Sequence, residues 1–548
     1  MHPIHNRLAW QMRSSVLIFH CAVSHGMTLF LRPPLLVTAR LAISHPPYLP
    51  QKVEAKGVIA ASCPSLAHEK PSFNLESVSS SSLTAATALQ CLHFQSCSGC
   101  SQEWDLDQPH IVTEAKKFFK ELGISDLNFE SGMLAEWRCR AKLAVRGTSE
   151  RPLIGLYEEG THNVVDIPLC RAHHPNINVA VNLLKQGISA LNIQPYDEDL
   201  GTGELRYVQI AVTTYNTSLP AAERYQNGKV QVSLVWNSRN EQSESYKKLN
   251  ALAEFLWRNA GPKSNSHLFH SIWVNFQTSS SNIIFGNRWR LLLGERDFWE
   301  HIGGIDVCLD PCSFGQANTQ AFNSLLRKLQ KYVPYGSSVV DLYAGAGVIG
   351  LSVAATRKCR SLRCVEINKE SKLSFEKSLS RFPKHIDCSV HWHNTDASIE
   401  PLHWLKGSNV VIVDPPRKGV EQSLLDALRE ISKCKDSKVP KSSIINEKEE
   451  KRPWILRARK ATVHVESKTS INWAKDQTWP EFIIYVSCGW ESFKENCQYL
   501  LFNNAWHLEK AHAFNFFPGT ESIEILALFK RGPRANHTKK KSGKKKKP

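Results

Sequence analysis

Five of the chain's 15 cysteines stand in settings that suit chemistry. Three lie close together as Cys91-x5-Cys97-x2-Cys100, and a fourth, Cys170, ends the apolar stretch VVDIPLC. This spacing matches neither a zinc ribbon nor a C2H2 finger. Three close thiolates plus one distant one suit a four-iron cluster, with tetrahedral zinc as the alternative. The fifth, Cys488, lies between the strand-like run EFIIYVS and a helix-like segment, a position that can lower a thiol's pKa and favours a nucleophile over a core residue.

A glycine-rich loop, GAGVIG at residues 345–350, matches a cofactor-binding fingerprint with a strand before it and a helix after it. Its glycines let a cofactor approach the backbone at the carboxyl edge of a parallel sheet. The loop alone does not separate NAD from S-adenosylmethionine (SAM), and Glu366 at the end of the next strand fits the ribose of either. Asp414, followed by two prolines and Arg417, forms a stiff turn that suits a planar base beside a methyl donor and therefore favours SAM.

Two patterns of secondary structure surround these residues. From about 135 to 295, alternating and β-branched runs predict a largely antiparallel domain with a few helices, one of them near Ile177–Leu191. After residue 315, strands alternate with helices, including one over Gly350–Thr356, and this predicts a doubly wound parallel sheet. The predicted fold is therefore α/β, with a C-terminal Rossmann-like sheet, a β-rich domain before it and a cysteine-cluster segment. The order of the motifs resembles the class I methyltransferase fold.

The net charge of +17 lies mostly at the two ends of the chain. Residues 531–548 carry nine Lys/Arg and no acidic residue, and residues 1–70 have a net charge of +5, which leaves only +3 for 71–530. A basic chain suits proximity to RNA. The first 70 residues have scattered Arg, many Ser, apolar patches and no acidic residue before Glu54, which is the composition of a transit peptide. No segment is long and apolar enough to predict a membrane span.

Taken together, the motifs resemble those of the RNA uracil-C5 methyltransferase family, and more closely its iron–sulfur branch, which modifies 23S ribosomal RNA in bacteria. The match covers roughly residues 90–430 and 479–530. Its landmarks are CLHFQSCSGCSQE, WRCRAKL, IGLYEEGTHNVVDIPLC, SFGQANTQ, DLYAGAGVIGL, VEIN, DPPRKG, YVSC and FPGTESIE.

The resemblance implies roles for the matching residues. Cys488 would be the nucleophile, Glu524 the base that removes the C5 proton, and Arg417 would stabilise the enolate oxygen or position the base. SAM would be bound by Gln316, Tyr343, Gly345, Gly347, Glu366, Asp396 and Asp414. A [4Fe–4S] cluster with a structural or RNA-positioning role would be held by Cys91, Cys97, Cys100 and Cys170.

The chain departs from the family pattern at several positions. Val348 replaces an asparagine in the glycine loop, and SCGW, with Trp490, replaces SCNP. Glu521 and Ser522 stand where histidines often precede the base, and residues 1–90 contain no clear counterpart of the family's small RNA-binding barrel. These changes bear on substrate choice and RNA affinity more than on the reaction.

The predicted organisation follows from the motifs and the composition. It comprises a transit peptide or disordered segment (1–70), a linker with the cysteine-cluster loop (71–103), a central α+β RNA-binding domain (104–300), a SAM-dependent methyltransferase domain (301–530) interrupted by an insertion (432–478), and a disordered Lys-rich tail (531–548). The extension and the insertion indicate a plant-type organellar protein. We expect a chloroplast location, with the mitochondrion second and the nucleus third.

The expected reaction forms 5-methyluridine through a covalent bond between Cys488 and uracil C6, on a base flipped out of its stack. Ribosomal RNA is the favoured substrate and tRNA the second, and we expect a monomer. Two other classes stay open. A catalytically degenerate RNA-binding protein of the same fold would explain Val348 and SCGW, and an iron–sulfur, nucleotide-dependent oxidoreductase would use the same glycine loop.

Overall fold

The computed structural model describes residues 87–216, 219–261, 267–280, 283–433 and 478–534, all of them within the unit Ser80–Pro548. Predictions for residues 1–70, for nearly all of the insertion 432–478 and for most of the tail 531–548 therefore lie outside the described residues. Two large sheets and a two-stranded ribbon organise the described part of the chain.

The strands and helices are numbered in chain order. The strands are β1 Asn128–Ser131, β2 Arg140–Gly147, β3 Pro152–Tyr157, β4 Val164–Asp166, β5 Leu205–Thr213, β6 Lys229–Trp236, β7 Phe269–Phe276, β8 Arg288–Gly294, β9 Trp299–Ile302, β10 Ile305–Cys308, β11 Ser338–Leu342, β12 Ser361–Glu366, β13 Ser389–Asn394, β14 Val410–Val413, β15 Phe482–Ser487, β16 Trp506–Asn515 and β17 Glu524–Arg531. The helices are α1 Ile111–Glu121, α2 Pro175–Ala190, α3 Ala221–Gln226, α4 Tyr246–Asn259, α5 Thr319–Gln330, α6 Val348–Arg357, α7 Ser371–Ser380, α8 Pro401–Leu405, α9 Gln422–Ser432 and α10 Trp490–Leu501, followed by the 3-10 turn Phe502–Asn504.

The first sheet has seven strands in the order β4-β3-β2-β5-β6-β7-β8. Its pairs are antiparallel except β6 with β7. Helices α2 and α4 cover one face and share a buried apolar core with the strands, formed on the helix side by residues such as Leu184 and Leu252. The predicted β-rich domain, with a helix near 177–191, has this architecture.

The second sheet has eight strands in the order β1-β16-β17-β15-β14-β11-β12-β13. Five of them, β13, β12, β11, β14 and β15, run parallel. β17 is antiparallel to both β15 and β16, and β1 pairs in parallel with β16 at the edge. Apolar cores lie on both faces, one against α1, α9 and α10 and the other against α5, α6 and α7. The predicted doubly wound sheet is confirmed.

The helix after the glycine loop begins earlier than the sequence suggested. We predicted Gly350–Thr356, whereas α6 covers Val348–Arg357. The reason is Gly347, which takes a left-handed conformation (φ 76°) at the helix N-cap, so that helical geometry starts at the next residue. A side chain at Gly347 would place its Cβ only 2.5 Å from the Phe375 ring.

The parallel arrangement has a direct consequence for chemistry. Because β11, β12, β13, β14 and β15 run in the same direction, their carboxyl ends meet at one edge of the sheet, where open α/β sheets bind ligands. β17, being antiparallel to β15, begins at that same edge. In the part of the chain that the structure describes, no helix has the length and apolar character needed to cross a bilayer.

Candidate functional site

The carboxyl edge of the second sheet brings together residues that the sequence predicted to be functional. Tyr343 follows β11, Glu366 ends β12, Asp414 follows β14, Cys488 follows β15 and Glu524 opens β17. These positions are spread over about 180 residues of sequence, and the sheet alone makes them neighbours. The predicted nucleophile, base and cofactor ligands therefore share one site.

Cys488 and Glu524 are placed side by side by strand register. Ser487 pairs with Ile525 across the antiparallel β15–β17 ladder, so the next residue of each strand, Cys488 and Glu524, lies at the same level. The pKa of the Cys488 thiol is raised to about 12, first by burial and then by the carboxylates of Glu524 and Asp414. Arg417, hydrogen-bonded to the thiol, opposes the shift and lowers the pKa. In the free site at neutral pH the thiol is protonated.

Glu524 is only 4% exposed. Burial raises the pKa of its carboxyl well above the ordinary value, Asp414 raises it further, and Arg417 lowers it. Burial likewise raises the pKa of Asp414 to about 7. A carboxyl with a raised pKa is a stronger base once it is ionised, which suits a residue that must take a proton from carbon.

The glycine loop is tied to the sheet through two carboxylates. The Gly345 N–H donates to Glu366 Oε2 (2.8 Å), and the Gly350 N–H donates to Asp341 Oδ2 (2.8 Å). Asp341 is fully buried, and burial raises its pKa to about 8, with Asp414 and Glu366 adding to the shift. A Cβ on Gly350 would lie 2.8 Å from that carboxylate, so glycine is needed for the close approach of α6 to β11.

Tyr343 links the glycine loop to the loop that follows DPPR. Its φ of 62° is uncommon for a residue with a side chain and marks local backbone strain. Its hydroxyl donates a hydrogen bond to the Glu421 carboxylate, which raises the pKa of Tyr343 in addition to the effect of burial. Glu421 also pairs with Lys418 (2.9 Å). Sequence reasoning missed Glu421, because no motif marks it.

The two remaining cofactor candidates lie at different parts of the site. Gln316 is half-buried in the loop between β10 and α5, and the next residue, Ala317, accepts a hydrogen bond from the Cys139 N–H (2.7 Å) at the start of the first sheet. Asp396 follows β13, the outermost of the parallel strands, and its Oδ1 accepts bonds from the N–H and hydroxyl of Ser398 (2.8 and 2.7 Å). Asp396 is therefore held in a local turn near the same edge.

The four predicted cluster cysteines come close to one another. The pKa of Cys100 is raised to about 12, first by burial and then by the charges of Cys170, Cys97 and Cys91. The buried guanidinium of Arg138 opposes it. Even so, among the described residues no group of three or more His, Cys, Asp or Glu side chains is arranged to hold a metal ion. The four thiols lie near enough to affect one another's pKa and have the donor type that a cluster needs, but their arrangement does not form a metal site, so this ligand set stays a prediction.

Gly489 and Trp490, the two residues that depart from the family turn, have a clear structural role. A Cβ on Gly489 would lie 2.4 Å from the Arg417 backbone oxygen, so glycine allows the Cys488 turn to pack directly on the DPPR turn. Trp490 is buried at the start of α10, and its indole N–H donates to Glu114 of α1 (2.8 Å). The sequence showed that SCGW differs from the family turn, but it did not show the contacts that Gly489 and Trp490 make.

Comparisons with known proteins agree with the geometry of this site. A family model described as "Conserved hypothetical protein 95" matches residues 314–472. An uncharacterized RNA methyltransferase of Protochlamydia amoebophila is 36% identical over 450 residues, which cover 81% of this chain and 98% of that protein. A 23S rRNA (uracil(747)-C(5))-methyltransferase of Yersinia pestis is 24% identical over 405 residues, covering 72% and 86% respectively. The chain belongs to the same RNA methyltransferase family as the Protochlamydia protein.

A solved structure of this kind supports the fold. The tRNA (uracil-54, C5)-methyltransferase of Pyrococcus abyssi, in complex with S-adenosyl-L-homocysteine, aligns with a TM-score of 0.53 at 21% identity, over 79% of this chain and 86% of that one. The predicted enzyme class, an RNA methyltransferase, is confirmed at the level of the family. Membership of the iron–sulfur branch and a plant organellar origin stay predictions.

Proposed function

We propose that this protein methylates C5 of a uridine in RNA, with SAM as the methyl donor and a covalent Cys488–C6 adduct as the intermediate. One observation carries the proposal: the strand register places Cys488 beside Glu524, with Arg417 hydrogen-bonded to the thiol and Asp414 close by. A nucleophile, a base and a cation at one sheet edge are the groups this reaction requires.

Electrostatics favour SAM over a dinucleotide. Burial raises the pKa values of Asp341, Asp414 and Glu524, Asp414 also raises those of Asp341 and Glu524, and Glu366 also raises that of Asp341. The loop GAGVIG contains no Lys or Arg. These buried carboxyls ionise more readily beside a cation than beside an anion, so the site favours the sulfonium of SAM over the pyrophosphate of NAD. A cation bound there also lowers the pKa of each neighbouring carboxyl and of the Cys488 thiol.

Each residue then has a defined task. The Cys488 thiol first loses its proton to water, and the thiolate then bonds to uracil C6 while the C5=C6 electrons move toward the C4 carbonyl. SAM, when bound, supplies the methyl group that C5 takes up. Glu524 removes the C5 proton, the C5=C6 bond re-forms, and the bond between C6 and Cys488 breaks. Arg417, next to the thiol, stabilises the negative charge that develops on sulfur and on the base.

Two substitutions test the reaction. Cys488→Ala is expected to give neither methylation nor adduct, because no other described thiol lies beside Glu524 at this edge. Glu524→Gln is expected to accumulate an RNA adduct that survives denaturation, because the C5 proton then has no acceptor. A denaturing gel with labelled RNA and a nucleoside assay measure both. Full activity in either variant would contradict the assignment.

Ribosomal RNA is the substrate that we propose first. The Yersinia relative is named for 23S rRNA and the Pyrococcus protein for tRNA, so the family contains both. Mass spectrometry of nucleosides from rRNA and tRNA, with and without the protein, would locate the missing 5-methyluridine. If 5-methyluridine is missing only from tRNA, the substrate is tRNA and not rRNA, and the proposed reaction still stands.

We also propose that Cys91, Cys97, Cys100 and Cys170 hold a [4Fe–4S] cluster. Support comes from the mutual proximity of the four thiols and from Arg138, whose positive charge would offset part of the charge of four thiolates. Anaerobically purified protein should contain about four iron and four sulfide per chain and absorb in the visible range, and Cys170→Ser should lose this signal. If the protein instead contains one zinc per chain and no sulfide, the four cysteines form a structural zinc site and the cluster proposal is wrong.

The remaining predictions concern the whole chain. We propose a chloroplast protein that acts as a monomer, with the domain division given above and residues 1–70 as the transit peptide. The composition of residues 1–70 supports the location. Size-exclusion chromatography with light scattering tests the oligomeric state.

One alternative function has a specific observation in its favour. Val348 stands at the first position of α6, where the family has a polar residue, so one contact to the cofactor is missing. If this loss abolishes SAM binding, the protein binds RNA without turnover. Equilibrium dialysis with labelled SAM decides between the two, and Val348→Asn should increase SAM affinity.

A further inference from the structure

The loop that carries the proposed base rests on the cysteine segment. We define the base loop as residues 516–523, between β16 and Glu524, and the cysteine segment as residues 91–106. The backbone oxygen of Gly519 in the base loop accepts hydrogen bonds from the N–H groups of Ser101 and Gln102 (2.8 and 3.0 Å). Gly519 is buried and has a φ of 90°, a conformation that glycine favours.

Side chains add two further connections. The Ser101 hydroxyl accepts a hydrogen bond from the Glu521 N–H (3.1 Å), and Asn515 at the end of β16 donates to the Leu106 oxygen (2.7 Å). A Cβ on Gly519 would lie 3.4 Å from Cys100 Sγ, which shows how closely the base loop approaches a proposed ligand. The cysteine segment therefore holds the base loop at Gly519 and Glu521, and holds the end of β16 at Asn515.

The cysteine segment also contacts the first sheet. The Ser98 N–H donates to the backbone oxygen of Tyr157 (3.3 Å) at the end of β3. A Cβ on Gly99 would lie 3.0 Å from Leu156 of β3. The segment thus joins the first sheet to the base loop of the second sheet.

We propose that the cysteine segment is a positioning element for the catalytic base. It fixes the base loop so that the Glu524 carboxylate reaches the C5 proton. Ser101 is then a positioning residue that acts through the Glu521 N–H. This inference rests on the proposed function, because it assigns the segment to one step of that reaction: proton removal after Cys488 has already formed the adduct.

The test separates the two halves of the reaction. Ser101→Ala removes the hydroxyl that holds Glu521 and leaves the backbone bonds to Gly519 in place. We expect adduct formation at the wild-type rate and adduct breakdown about fivefold slower, the effect of losing one hydrogen bond at a positioned group. Single-turnover reactions, quenched in denaturant and resolved on gels, give both rates. The matched control is Ser96→Ala, because the Ser96 hydroxyl bonds only within the same segment, to His93 (3.1 Å).

A second measurement does not depend on turnover. Hydrogen–deuterium exchange of a peptide covering residues 516–523 should be faster in Ser101→Ala than in wild-type protein and Ser96→Ala. Gly519→Ala, which adds a methyl group near Cys100 at an unfavourable φ, should increase exchange in the same peptide.

Each outcome has one meaning. Slower adduct breakdown in Ser101→Ala, together with faster exchange of the base loop, supports the positioning role. An unchanged rate of adduct breakdown in Ser101→Ala overturns the positioning role. An equal decrease in the rates of adduct formation and breakdown also overturns it, because it would indicate a role in RNA binding. If Glu524→Gln itself fails to trap an adduct, the proposed function fails first. If Glu524→Gln traps one and Ser101→Ala behaves as wild type, only the positioning inference fails.

Discussion

At the scale of single residues, the site is a small group of acids around one thiol and one arginine. Burial raises the pKa of Asp414 to about 7 and that of Cys488 to about 12, and it raises the pKa of Glu524 as well. Arg417 lowers the pKa of both Cys488 and Glu524. The thiolate fraction, and with it adduct formation, should therefore rise with pH through the neutral range.

Arg417→Gln tests the role of this charge. Without the guanidinium the pKa of Cys488 rises further, so less thiolate exists at any given pH. The rising limb of the pH profile for adduct formation should move to higher pH, with a rate about tenfold lower near neutral pH if the shift is one unit. Arg258→Gln removes an exposed arginine elsewhere and is the control. An unchanged pH profile in Arg417→Gln would show that Arg417 does not affect the pKa of Cys488.

At the scale of elements, α1 and α10 hold the turn that presents Cys488. Trp490 begins α10 immediately after the turn and is buried against Phe118 of α1 (ring centroids 5.4 Å apart). Glu114 of α1 accepts from the Trp490 indole and also pairs with Lys494 (2.6 Å). Helix α1 precedes the first sheet in the chain, yet it packs on the second sheet and supports the nucleophile.

A double-mutant cycle tests this contact. Trp490→Phe keeps an aromatic ring but removes the N–H donor, and we expect the free energy of unfolding to fall by about 1 kcal/mol or somewhat more with the lost ring volume. In a Glu114→Ala background the same change should cost less, with a coupling of about 0.5–1 kcal/mol. Urea unfolding followed by circular dichroism measures all four proteins. Strictly additive losses would mean that the hydrogen bond contributes nothing.

At the scale of the whole molecule, most of the net positive charge lies at the two ends of the chain, whereas the residues proposed for catalysis lie in the nearly neutral core. The described core is close to neutral, whereas most of the net charge of +17 lies in the two ends. The residues proposed for catalysis lie at one sheet edge, and the cysteine segment connects that edge to the first sheet. We propose that residues 1–70 direct the protein to its compartment and take no part in catalysis.

A fusion experiment tests this assignment. Residues 1–70 joined to a fluorescent protein should direct it to chloroplasts in plant cells, because their composition is that of a transit peptide. The matched control joins residues 71–140 to the same reporter, which should stay in the cytosol. Import into mitochondria alone would show that the protein is mitochondrial and not chloroplastic. No import by residues 1–70 would contradict the targeting prediction.

The sequence by itself determined the elements and the chemistry of the site. Hydrophobic periodicity and glycine positions are local, so the alternation of strands and helices after residue 315 predicted a parallel sheet. Because parallel strands share a carboxyl edge, that prediction already grouped Tyr343, Glu366, Asp414 and Cys488 at one end of the sheet. Motif resemblance added Glu524, whose own surroundings in sequence are those of an ordinary strand residue.

Only the tertiary structure decided which distant segments meet. β1 pairs with β16 nearly 400 residues later, Gly519 accepts bonds from Ser101 and Gln102, and Tyr343 donates to Glu421. No local pattern encodes these contacts, because each depends on how whole sheets and helices pack. The pKa values follow the same division: residue type sets the ordinary value, whereas burial and neighbouring charges, which exist only in the folded chain, set the shift.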